Sequence, residues 1–134
     1  GENGEVMTVR IVRLGSPRVA GEGVRSGTVR RAPRGVPASR FASEDWYDVW
    51  YPVLAPSAGT VKLGKAAQTE REWAAFARKF RAEMGEPAAS RTLDLLAALS
   101  RTADFSVGCY CEDEARCHRA GLRELLAARG ARMG

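Results

Sequence analysis

Short β-branched runs that stop at glycine or proline, set against longer stretches of helical period, most restrict the folds open to this chain. Val6 to Leu14 has strand composition and is stopped by Gly15-Ser-Pro17. After a turn marked by Gly21 and Gly23, Val24 to Arg30 reads the same way and ends in a loop bearing Pro33, Gly35 and Pro37. Phe105 to Cys111 alternates with period two, which puts Phe105, Val107, Cys109 and Cys111 on one face and Ser106, Gly108 and Tyr110 on the other.

The intervening segments carry helix signals. Ser43-Glu-Asp-Trp46 resembles a capped start, with Trp46, Val49 and Trp50 on one face of a short helix limited by Pro52, and Leu54 to Gly59 reads as an irregular connection. Thr69 to Glu72 fits a capping box that opens an amphipathic helix, its stripe formed by Trp73, Phe76, Ala77, Phe80 and Met84. Pro87 and Ser90 introduce a helix with Leu93, Leu96 and Ala97 inside, closing near Thr102. Glu112 to Glu114 supply capping acids for a last helix, marked by Leu122, Leu125, Leu126 and Arg129 and stopped by Gly130.

Strands alternating with helices predict an α/β fold: a small, mostly parallel sheet of three to four strands flanked by helices in a Rossmann-like, three-layer arrangement. At 134 residues, with no internal repeat, the whole of 1–134 is expected to be one domain. In such sheets ligands bind beyond the carboxyl ends of the strands, so the loops carrying Arg18, Arg31, Arg34 and the segment Cys117 to Arg119 are expected at one edge.

No apolar run reaches the ~20 residues of a membrane span, and nothing resembles a secretion leader, so no membrane partner is expected. Three cysteines cannot all pair within one molecule, and their grouping points to reduced thiols in a cytoplasm.

All three cysteines and the only histidine fall in Cys109-Tyr-Cys111-Glu-Asp-Glu-Ala-Arg-Cys117-His118-Arg119. Three chemistries compete for them. In the first, Cys117 is a reactive thiol at a helix start, with Cys109 as its partner, His118 as proton acceptor and Arg119 as stabiliser of developing negative charge. In the second, Cys109, Cys111, Cys117 and His118 are four zinc-type ligands, although their spacing matches no common finger. In the third, the cysteines are small core hydrophobes.

Residues 1–41 carry eight arginines against three glutamates and account for the whole net charge of +5. Arginine forks onto phosphate or carboxylate, so Arg18, Arg31 and Arg34 are candidates for holding an anion; a solvated basic face is the plain alternative. Trp46, Tyr47, Trp50 and Tyr51 near those arginines raise base stacking and a nucleic-acid partner, though Trp46 and Trp50 also fit a core.

Several segments together resemble the DUF488 family, which includes YeaO-like proteins: the loop Arg31-Ala-Pro33-Arg34-Gly35, the stretch from Trp50 to Ala55-Pro56-Ser57, the Trp73 to Glu83 helix and the closing Cys117-His118-Arg119. One branch of that family carries Cys-Ala-Glu before an acidic loop and Cys-His-Arg. Aligned on Cys117, Cys109 matches its first cysteine and Cys111 stands where its glutamate would be. The resemblance implies a compact α/β domain of unestablished activity. The preferred expectation is a thiol-dependent enzyme acting on a small phosphate- or carboxylate-bearing substrate, with no cofactor. The alternatives are a binding module for nucleic acid or an acidic partner, and a zinc site in the cysteine–histidine segment.

Overall fold

The computed structural model describes residues 6–111 and 116–134. Four strands, β1 (Val9–Arg13), β2 (Val24–Gly27), β3 (Val49–Trp50) and β4 (Phe105–Cys109), form one all-parallel sheet in the order β1-β4-β2-β3. Among the described residues four α-helices accompany it: α1 (Ala58–Ala66), α2 (Glu70–Glu83), α3 (Pro87–Leu99) and α4 (His118–Ala128). The α/β class and the parallel sheet are therefore as the alternation of strand and helix patterns predicted. Among the described residues, no helix is long and apolar enough to cross a membrane.

The last strand in sequence lies between β1 and β2, and this position explains its burial. All five residues of β4 are buried, the polar Ser106 included, because both of its edges are paired and both of its faces covered. On one side Val9, Phe105 and Val107 meet Phe80, Leu93, Leu122 and Leu126 of the helices. On the other, Arg25 and Ser106 lie under loops, with Glu22 between them. Burial of this many aliphatic and aromatic side chains, at about 1.5–3 kcal/mol each, supplies the main drive to fold.

The helix starts follow the sequence closely in α2. Thr69 accepts from the Glu72 N–H at 3.1 Å, while the Glu72 carboxylate accepts from the Thr69 N–H at 3.2 Å, which closes the capping box. The expected capping acids of α4, Glu112 to Glu114, lie outside the described residues.

Two segments depart from the sequence reading. The helix expected from Ser43 to Pro52 is absent: residues 41–45 form turns, Asp45 takes a positive φ of 62°, and Val49 and Trp50 form the edge strand β3. The first-turn acids serve elsewhere, Asp45 pairing with Arg18 at 3.3 Å and Glu44 with Arg40 at 3.2 Å, and so does Asp48 further along the segment. Asp48 accepts from the Arg25 N–H at 2.8 Å and from Arg18, and the Asp45 carbonyl accepts from Arg25. The irregular connection expected from Leu54 to Gly59, by contrast, gives way at Ala58 to helix α1. Its start is capped by Ser57, which accepts from the Thr60 N–H and is itself held by Glu83. The strands are also shorter than their β-branched runs: β2 ends at Gly27, where Thr28 turns in to donate to the Gly108 carbonyl.

Candidate functional site

The loop after β1 and the loop after β2 leave the sheet on either side of β4, so a crevice opens at the carboxyl end of the central strand. This is where the parallel topology places a ligand. A cleft of about 1130 Å³ occupies it. Its walls come from Arg13 to Pro17 after β1, Arg30 to Arg34 after β2, Trp46, Trp50, Lys65 of α1, and Tyr110 just past β4.

Among the described lining residues five are cationic (Arg13, Arg30, Arg31, Arg34 and Lys65), and none is acidic. Arg31 and Arg34 stand exposed on their loop. Arg30 is anchored, donating to the carbonyls of Ala55 and Pro56, which fixes the base of the loop against the start of α1. The Tyr110 hydroxyl donates to the Arg31 carbonyl at 2.8 Å and ties that loop to the end of β4. Trp50, 48% exposed, donates its indole N–H to the Val29 carbonyl at 2.7 Å, and this orients its ring at the cleft wall. Trp46 packs edge-on against Tyr110.

Arg18 lies elsewhere. Its guanidinium forks onto Asp48 at 2.8 and 3.0 Å and lies 3.3 Å from Asp45, so it joins two loops and is not among the cleft residues. Of the aromatics near the arginines, Tyr47 is buried and Tyr51 is hydrogen-bonded to Thr92, which leaves Trp46 and Trp50 at the cleft.

Cys109 ends β4 and Cys117 caps the start of α4, and the fold brings them together with His118. One ligand atom from each lies within 4.8 Å of the others. The His118 Nδ1 is 3.7 Å from the Cys117 Sγ, and its Nε2 is 2.8 Å from the Thr28 carbonyl. A carbonyl only accepts, so Nε2 carries the proton and Nδ1 turns its lone pair to the thiol. Burial holds the His118 pKa down at about 4, against the opposing pull of the Thr28 carbonyl, which leaves the imidazole neutral near pH 7.

The three thiols are linked to one another. Hydrogen bonds to Cys111 and Cys117, reinforced by burial, push Cys109 far above the ordinary thiol range. For Cys117 the hydrogen bond with Cys109 favours the thiolate, but that with Cys111 and burial outweigh it, and the group is pushed up to about 11. Cys111 receives hydrogen bonds from both, with His118 and Arg119 nearby, and is pulled well below the usual thiol value. A helix start by itself favours a thiolate at Cys117; the packed geometry favours it at Cys111, the exposed member. Arg119 is buried, and its Nη2 donates to the Cys111 carbonyl.

The two halves of the site share a wall. Leu14, Trp46 and Tyr110 line the cleft and also pack around Cys109 and Cys117. The thiols sit behind that wall, with Cys109 1% and Cys117 3% exposed, and neither belongs to the cleft lining. Arg13, Arg30, Lys65 and Tyr110 complete the cleft although nothing in their spacing marks them, since the sheet order alone brings them together.

A family model, DUF488-N3a, described as an active DUF488-N3 subclade, matches residues 9–130. No curated protein and no solved structure matches the chain.

Proposed function

The chain belongs to the DUF488-N3a family, and from that premise we propose that its cleft holds a small phosphate-bearing ligand with a flat ring. One observation carries the reading: among the described residues, five cations and no acid line the crevice at the carboxyl end of the central strand. Arg31 and Arg34 clamp the phosphate with charge-assisted hydrogen bonds, and Trp50, whose ring is oriented by Val29, offers a stacking face for the ring. The cations of the cleft favour an anion even before contact, because low-dielectric walls concentrate their field.

Thiol chemistry on that ligand draws less support. Cys117 and Cys109 are sealed behind Leu14, Trp46 and Tyr110, so attack by either would require the wall to open. A nucleic-acid partner draws less as well, because of the four aromatic residues near the arginines only Trp46 and Trp50 reach the cleft.

Calorimetric titration with a nucleoside monophosphate and with the matching nucleoside is the test. The monophosphate should bind at least about 100-fold more tightly than the nucleoside, since two charge-assisted contacts at about 1.5–3 kcal/mol each depend on the phosphate. Equal affinity for both, or no heat with either, would remove the reading.

A further inference from the structure

We propose that Cys109, Cys111, Cys117 and His118 bind one zinc ion in a tetrahedral Cys₃His site that pins the start of α4 to the end of β4. The inference is independent of the ligand proposed for the cleft, because it concerns atoms behind the cleft wall.

The geometry argues for it first. A tetrahedral zinc with sulfur at about 2.3 Å and nitrogen at about 2.0–2.1 Å sets its ligands about 3.6 Å apart for sulfur and nitrogen and about 3.8 Å apart for two sulfurs. The Cys117 Sγ and His118 Nδ1 are 3.7 Å apart, and no pair among the ligand atoms of Cys109, Cys117 and His118 exceeds 4.8 Å. Only small movements would bring the three around an ion.

Neighbouring residues in sequence seldom share an ion, and a local backbone change accounts for it here. Cys117 is extended, with φ −147° and ψ 157°, whereas His118 is the first helical residue, so the chain bends between them and both side chains turn to the same point. The fourth ligand is released from the sheet in a similar way. β4 ends at Cys109, and Cys111, no longer bound to the strand's alternation, lies two residues past it beside Cys109 and Cys117; its sulfur is outside the 4.8 Å cluster of the other three ligand atoms and must swing in to complete the set.

The imidazole is already arranged for a metal. Ligating histidines usually donate their other ring N–H to a carbonyl or carboxylate, which fixes the tautomer and raises the basicity of the ligating nitrogen. Here Nε2 donates to the Thr28 carbonyl at 2.8 Å and Nδ1 faces the sulfurs. Three thiolates and one zinc carry a net charge of −1, and the buried Arg119 lies beside Cys111 to offset it. Binding releases the thiol protons of Cys109 and Cys117 to solvent, Cys111 already being the thiolate. With four protein ligands the site is closed, so its part is to hold structure, including Tyr110 between two of the ligands at the cleft wall.

The test uses the full chain produced with zinc in the medium and purified without chelator. Elemental analysis should find one zinc per chain, and replacement by Co²⁺ should give intense visible bands of a tetrahedral ion with thiolate charge-transfer absorption in the near ultraviolet. Cys117→Ser should abolish both. Should that variant fail to fold, Cys111→Ser serves, since Cys111 is exposed; it should reduce the charge-transfer intensity by about a third and weaken zinc binding at least about 10-fold. Metal-free protein that takes up no Co²⁺ and whose Cys111 is alkylated at once would overturn the site. Zinc held equally well by Cys111→Ser would overturn the four-ligand set. Phosphate-ligand binding in the metal-free protein reports on the cleft separately, so the two proposals fail by different results.

Discussion

Replacing Glu22 by alanine is expected to cost about 3–5 kcal/mol of the about 5–15 kcal/mol by which folded proteins are stable, because it leaves a fully buried guanidinium without its counter-charge. Arg25 is 0% exposed and forks onto Glu22, with Nε at 2.7 Å from one carboxylate oxygen and Nη2 at 3.0 Å from the other. Its Nη1 donates to the carbonyls of Ser16 and Asp45, and Ser106 of β4 donates to the Glu22 carboxylate. The network joins β2, β4 and two loops, and the first of those loops is a wall of the cleft. The variant should therefore lose cleft order along with stability.

Acid should reveal the same group. Burial raises the Glu22 pKa, but hydrogen bonds from Arg25 and Ser106 outweigh it and hold the carboxyl below its ordinary 4.5. Between the folded and unfolded values the unfolded chain binds the extra proton, so the stability Glu22 lends is complete above pH 4.5 and disappears as pH falls through the folded value. Urea unfolding at pH 7 and pH 3.5 measures both effects. Glu22→Ala should lie far below the parent at neutral pH and approach it in acid, and Glu22→Leu combined with Arg25→Met should recover most of the loss. A neutral-pH loss below about 0.5 kcal/mol, the range of ordinary surface changes, would contradict this account of the pair.

The second large effect concerns binding. Arg31→Ala and Arg34→Ala should each weaken a nucleoside monophosphate about 10-fold to 100-fold, by removal of charge-assisted hydrogen bonds worth about 1.5–3 kcal/mol. The double variant should weaken it by at least about 100-fold, somewhat short of the product because both arginines meet one phosphate. Stability should hardly change. Both side chains are exposed, and the contact that anchors their loop, from Tyr110 to the Arg31 carbonyl, is made to backbone. Arg31→Lys should fall between, since it keeps the charge and loses the fork. Calorimetry with thermal unfolding on the same samples separates the two readouts. Affinity unchanged in the double variant would place the ligand elsewhere.

Arg31 and Arg34 were legible in the sequence as an arginine pair in a proline-glycine loop after a strand, but which other cations join them was not. Arg13 and Lys65 come from segments far from that loop, and only the order β1-β4-β2-β3 and the placement of α1 make them its neighbours. Arg18 shows the reverse case: it looked like its neighbours, yet Asp48, 30 residues on, claims it. Glu22 and Arg25, three residues apart across a turn, gave no sign that they would be buried.

The same division between local and distant causes runs through the fold. The α2 helix was readable because its cap and stripe are written within sixteen residues, Thr69 to Met84. Helix α1 was not, because Gly59, Thr60, Val61 and Gly64 are weak helix formers, and its stability comes from Glu83 and from the Phe76 ring, 2.9 Å from where a Gly64 Cβ would lie. The supposed helix at Ser43 failed for a similar reason: Asp45 and Asp48 bind Arg25 and Arg18, partners that no window around them contains. In the cysteine segment, residue types and proximity were visible, but the 3.7 Å approach of Cys117 to His118 depends on a bend at a helix start that residue spacing does not reveal.

The most direct measurement of the central claim is backbone amide NMR of the intact protein titrated with a nucleoside monophosphate. The account predicts saturable shifts at Leu14 to Ser16, Arg30, Arg31, Arg34, Trp50 and Tyr110, with the α3 face around Leu95 and Leu99 unmoved. Shifts confined to residues outside the cleft, or none at saturating ligand, would contradict it.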